Sequence, residues 1–158
     1  MKTTRAVRSE TRATHKPLGE VMDLLRLLWE LDHALHRRSQ SMVKELGVTG
    51  PQRLVLSLVG RFPGIPAGEL SALLHVHPST VTDIVQRLER GGWLRRRVDA
   101  RDRRCVLLGL TERGRHVDGA DSDKTIEEGV RRVLERLPAA QIEAARIVLS
   151  ALARELSE

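Results

Sequence analysis

The chain has 158 residues, 41% of them apolar, which is enough for one compact domain with its own core, and it carries a net charge of +6. Aromatic residues make up 2% with no tyrosine, so the core has to be built from Leu, Val, Ile and Ala, a palette that suits helices. The single cysteine, Cys105, excludes an intrachain disulfide and a cysteine-based zinc site; no window reaches the roughly 18 apolar residues of a membrane span, and no apolar signal core accompanies the charged N-terminus, so a cytoplasmic protein without a membrane partner is expected.

Residues 1–17 are polar and lack apolar periodicity, and they are read as a basic flexible tail. Residues 18–48 form a long helix, because Val21, Leu24, Leu25, Leu28, Leu31, Leu35 and Met42 recur at helical steps as far as Leu46. The break "GVTGP" follows, after which Thr49 caps a second helix with Pro51 in its first turn. An extended piece around Ile65 leads to a short helix from Ala67 to Leu74, and "HVH" interrupts again. Pro78 opens "PSTVTDIVQRLERGG", whose inward residues are Val81, Ile84, Val85 and Leu88 and whose closing glycines are Gly91 and Gly92.

"WLRRRV" and "CVLLGL" read as two strands joined by the turn "DARDR", with Trp93 and Cys105 expected to pack inward. Residues 111–158 return to helix. Thr111 caps a long helical zone that runs to Leu137, weakened and open to a kink near Gly119, and Pro138 separates it from a final amphipathic helix. The fold class is therefore mainly α with a small β-hairpin. Residues 49–110 hold a winged helix-turn-helix core, flanked by long N- and C-terminal helices. Those flanking helices carry more apolar surface than this core can cover, so they are assigned to dimerisation.

Charge is concentrated. Residues 1–16 hold five bases and one acid, and residues 93–104 hold six arginines and two aspartates, which leaves the remainder of the chain net negative by two. Two short basic segments beside a helix with a polar outer face form the footprint of a polyanion site. On the helix opened by Pro78, Ser79, Thr80, Thr82, Asp83, Gln86 and Arg87 face outward. The short side chains among them let the backbone approach a major groove, with Gln86 and Arg87 as long readers of adenine and guanine. Asp83 has two roles open to it. It accepts a hydrogen bond from a cytosine amino group, or it pairs with Arg87 one turn on. The hairpin then acts as a wing that carries arginine into the minor groove, with its aspartates aiming the guanidinium groups.

"DARDRRCVLLGLTERG" resembles the D-x-R-D-x-R…L-T-x-x-G signature of the MarR family of bacterial transcriptional regulators, and "PSTVTDIVQRLERGGWL" is similar to that family's recognition helix. The resemblance covers Leu18 to Leu156 and implies a homodimeric repressor on a pseudo-palindromic double-stranded DNA operator, released by a small-molecule effector. It further implies Arg101 as the minor-groove residue, with Arg103 beside it, Asp99 as the partner that orients Arg101, and Asp102 with Arg104 as an internal brace. Many members carry a base where this chain has Asp83. Trp29, His33 and His36 on the first helix are the candidates for an effector pocket. No catalytic motif and no cofactor site is found, so an enzyme is not expected. Two alternatives remain: a winged-helix protein-interaction module without DNA readout, and a metal-responsive regulator of the same fold that uses His33 and His36 with His75 and His77.

Overall fold

The computed structural model describes residues 19–100, 102–120 and 123–157. The basic tail and Arg101 lie outside the described residues. Two compact units make up the chain, Met1–His33 and Ala34–Glu158. The order of elements is α1 (Glu20–Leu46), α2 (Gly50–Arg61), α3 (Ala67–Leu74), α4 (Pro78–Arg90), β1 (Leu94–Val98), β2 (Val106–Leu110), α5 (Glu112–Asp118), α6 (Ile126–Leu134) and α7 (Ala139–Glu155).

In the first unit, α1 leaves its apolar side chains in the open: Val21 is 72% exposed and Leu25 51%, while Arg26 and Glu30 pair along the helix at 2.6 Å. In the second unit, α1 continues to Met42, its only buried residue, and ends at Gly47, whose φ of +76° is the left-handed value that glycine adopts without cost. Thr49 then caps α2. Its hydroxyl accepts from the Gln52 backbone N–H at 3.3 Å, and the Gln52 side chain returns the bond to the Thr49 N–H at 2.8 Å, a reciprocal capping box.

The core of this unit joins α2, α3, α4, both strands and α5. Val55, Leu56 and Val59 from α2 meet Leu70 from α3, Val81, Val85 and Leu88 from α4, Leu94 and Leu108 from the strands, and Val117 from α5. The hairpin is antiparallel, pairing Leu94 with Leu110 and Val98 with Val106. The extended piece around Ile65 is a short third rung of the sheet. Pro66 bridges Leu107, and Leu108 exchanges backbone bonds with Gly64 and Ile65 at 3.0 and 3.1 Å.

The single helical zone expected from Thr111 to Leu137 is in fact two helices. Thr111 accepts from the Gly114 N–H at 3.0 Å to start α5, which stops at Gly119, and Thr125 caps α6 afresh by accepting from the Glu128 N–H at 3.2 Å. The division has a tertiary cause. Arg53, in α2 and only 6% exposed, donates to the carbonyls of Val117, of Asp118 at 3.3 Å and of Ala120 at 3.0 Å. Of these, the Asp118 carbonyl is an acceptor the helix leaves open at its C-terminus, and a buried cation there also meets the negative end of the helix dipole. Glu127 of α6 completes the arrangement as an ion pair 3.3 Å from Arg53 Nε.

None of the side chains of α6 or α7 is buried, and Val130, Val133, Ile147 and Leu149 are each between 48% and 61% exposed. No helix among the described residues is long and apolar enough to cross a membrane.

The corner between α4 and β1 is tightly filled. A Cβ on Gly114 would stand 2.1 Å from the Trp93 carbonyl oxygen, which is backbone and cannot swing aside. In an open helix, replacing glycine by alanine gains about 1 kcal/mol. Here the overlap outweighs that gain, and Gly114→Ala is expected to lower stability by on the order of 2 kcal/mol, read as the shift in a urea unfolding curve. A stabilised variant would show that the corner gives way easily.

Candidate nucleic-acid interface

The outward face of α4 follows from how the helix is anchored. Pro78 sits in its first turn, and His77 precedes it as N-cap, its Nδ1 accepting from the Ser79 N–H at 3.3 Å and standing 2.7 Å from the Ser79 hydroxyl. Burial of Val81, Val85 and Leu88 fixes the helix's rotation. Ser79, Thr80, Thr82, Asp83, Gln86 and Arg87 are consequently all exposed, as expected from the sequence. Thr82 donates its hydroxyl back to the Pro78 carbonyl at 2.9 Å, which turns its methyl toward the surroundings. Arg90, unremarked in the sequence, shares this face one turn on and bonds the Gln86 carbonyl at 3.4 Å.

Asp83 does not pair with Arg87: among the described residues no ion pair or hydrogen bond joins its carboxylate to any side chain. An i,i+4 pair between exposed side chains contributes only about 0.3–0.5 kcal/mol, too little to hold two mobile groups together against their rotamer entropy. The acid that does find a base is Glu89, 3.1 Å from Arg96, tying the end of α4 to β1.

The helix ends in a glycine pair. The Gly92 N–H donates to the Glu89 carbonyl and the Trp93 N–H to the Leu88 carbonyl, both at 3.0 Å, with Gly92 at φ +74°. Trp93 then packs against the core, as expected. Arg113, likewise not singled out by its place in the sequence, lays its guanidinium 4.4 Å from the Trp93 ring centroid and donates to the Gly91 carbonyl at 2.9 Å.

In the wing, the Asp99 N–H donates to the Cys105 carbonyl and the Cys105 N–H to the Asp102 carbonyl, both at 2.9 Å, closing the turn. Asp102 does brace Arg104, but through the backbone: its Oδ1 accepts from the Arg104 N–H at 2.9 Å, an Asx turn that leaves the guanidinium out of the bond. Asp102, Arg103 and Arg104 are exposed, and Asp99 and Cys105 are half-buried. The orientation of Arg101 by Asp99 falls outside the described residues. Arg96 is committed to Glu89, whereas Arg95 and Arg97 line a cleft with Pro63, Gly64 and Gly109.

Trp29 is 77% exposed, His33 is exposed, and His36 places Nε2 3.1 Å from Gln40 Nε2. Among the described residues no group of three or more His, Cys, Asp or Glu side chains is placed to hold a metal ion.

A helix-turn-helix whose second helix presents short polar side chains, followed directly by an antiparallel arginine-bearing hairpin, is a winged helix-turn-helix. The comparisons define it further. Residues 46–104 match the model of the MarR family. It is 34% identical over 87 residues to the HTH-type transcriptional regulator TtmR of Methylorubrum extorquens, covering 55% of this chain and 45% of that one. The alignment thus spans about half the length of that relative. Among solved structures, the transcriptional regulator SlyA superposes with a TM-score of 0.68 at 27% identity, over 85% of this chain and 94% of its own. MepR of S. aureus, solved as a DNA complex, shares the fold with a TM-score of 0.68 at 21% identity over 87% and 99%.

The Asx turn gives a local test of the wing. Asp102→Ala is expected to speed exchange of the Arg104 amide about fivefold, equivalent to about 1 kcal/mol for one exposed bond, while the global unfolding midpoint stays put. Hydrogen exchange followed by NMR reads both, and an unchanged Arg104 rate would mean that the loop holds its shape without the carboxylate.

Proposed function

We propose that this chain is a transcriptional regulator of the MarR family, that it reads double-stranded DNA in a sequence-specific way as a homodimer, and that it acts as a repressor on a pseudo-palindromic operator. The observation that carries this reading is the juxtaposition of the exposed face of α4 with the arginine-rich hairpin, joined by the Glu89–Arg96 pair and the filled corner at Trp93. The helix has the dimensions of a major groove, and residues along its outer face can reach base edges while the wing follows the neighbouring minor groove. Arg101 is assigned to that minor groove with Asp99 as the group that orients it, and Arg103 and Arg104 supply phosphate contacts. The alternative, a protein-docking module, would favour exposed aromatic or apolar residues on α4, and its outer face offers none between Ser79 and Arg90.

Dimerisation is supported by the apolar residues left exposed on α1 and, separately, on α6 and α7. Release by a small organic molecule forms part of the same reading. It is carried over from the family, with Trp29, His33 and His36 as the residues to probe first.

The test is enrichment from a pool of genomic fragments, followed by affinity measurements from low to moderate salt. One sequence is expected to emerge, with half-sites about 34 Å apart, and its affinity is expected to fall steeply as salt rises. A pool from which nothing is enriched defeats the DNA-reading assignment. Light scattering on the same sample is expected to give twice the 17.7 kDa of the chain; a folded particle of single-chain mass defeats the dimer.

A further inference from the structure

We infer that Asp83 is a specificity-determining residue, and that it reads the exocyclic amino group of a cytosine in the major groove. The inference rests on the DNA-reading assignment above and adds the base that the helix selects. At about 100° per residue, Asp83 falls almost diametrically opposite the buried stripe Val81, Val85 and Leu88, at the centre of the exposed face of α4.

Two of the other short polar groups on that face are already engaged. Ser79 stands 2.7 Å from His77 Nδ1, and Thr82 donates to the Pro78 carbonyl at 2.9 Å. Thr80, Asp83, Gln86 and Arg87 are the members whose side chains make no hydrogen bond or ion pair among the described residues, and Asp83 is the one acid among them. They are therefore the groups left to discriminate between bases.

An ionised carboxylate only accepts hydrogen bonds. Beside a phosphate it is repelled. In the major groove it finds donors only at cytosine N4 and adenine N6, and adenine sets its N7 acceptor next to N6, which the second carboxylate oxygen would face. Cytosine presents its amino group with no acceptor of its own on that edge. The short stem of Asp83 demands a close approach of the helix, and Ser79, Thr80 and Thr82 leave room for one. The uncommitted acid in a basic interface is thus placed where only a cytosine amino group rewards it.

The experiment selects operators from a randomised double-stranded pool with the whole chain, with Asp83→Asn and with Asp83→Ala. The native chain is expected to prefer cytosine about tenfold or more at one position of each half-site. Asp83→Asn, nearly isosteric on an exposed site, is expected to move that position to adenine, because an amide offers both the donor and the acceptor that N7 and N6 require. Asp83→Ala is expected to lose the preference there, and both variants should keep the ranking at every other position.

If all three proteins select the same base at every position, the inference is overturned while the DNA-reading assignment stands. Uniformly tighter binding by Asp83→Ala with unaltered base choice also overturns it, and makes the acid a brake on phosphate affinity. A native chain that enriches no sequence takes the inference down together with the assignment on which it rests.

Discussion

Trp93 fills the junction between α4 and the hairpin, and several independent constraints converge on it. Gly91 has to be bare, because a Cβ there would lie 1.7 Å from the indole ring, and Gly114 has to be bare to admit the Trp93 carbonyl. That carbonyl accepts from both the N–H and the hydroxyl of Thr111 at 3.1 Å, while the same hydroxyl reaches the Gly92 carbonyl at 2.7 Å. The base of the hairpin is thereby closed onto the end of α4, and the start of α5 is capped by the same residue. Together with the Glu89–Arg96 pair and the bonds of Leu108 to Gly64 and Ile65, this junction holds the base of the wing against the core.

The parts of the fold that were legible in the sequence are those governed by local chemistry. Thr49 with Gln52, Pro78, the Gly91–Gly92 pair and Pro138 each settle an element boundary through bonds made within a few residues. The stripe Val81, Val85 and Leu88 fixes which side of α4 is outward, so every candidate on that helix was found where the periodicity put it. What was not legible depends on contacts distant in sequence. Arg53 lies between Gln52 and Leu54 like any solvated helix arginine, and nothing local says that it will be buried against carbonyls 64 to 67 residues away. The division of the zone after Thr111 into α5 and α6 goes with that contact, which is why composition alone allowed a weak continuous helix.

The two wing aspartates show how the same residue type serves different ends. Asp102 spends its carboxylate on the Arg104 backbone, so it shapes the loop and leaves the guanidinium unrestrained. Asp99 contributes its N–H to the closing bond with Cys105. The brace between Asp102 and Arg104 orders the backbone of the turn. Side-chain pairing cannot be read from spacing when both partners are exposed, since the energies involved are comparable with the entropy they cost; Asp83 and Arg87 illustrate the same point on α4.

Arg53 gives the second unit a mechanical property as well as stability. A guanidinium is a planar fork with fixed donor directions, and here its tines are fastened to the carbonyls of Val117 and Asp118 at the end of α5 and of Ala120 just beyond it, while its stem belongs to α2. Such a fastening resists rotation as well as separation. Since α2 also packs on α4 through Val55, Leu56 and Val59, one helix is fastened on one side to the end of α5 and on the other to the helix that faces outward.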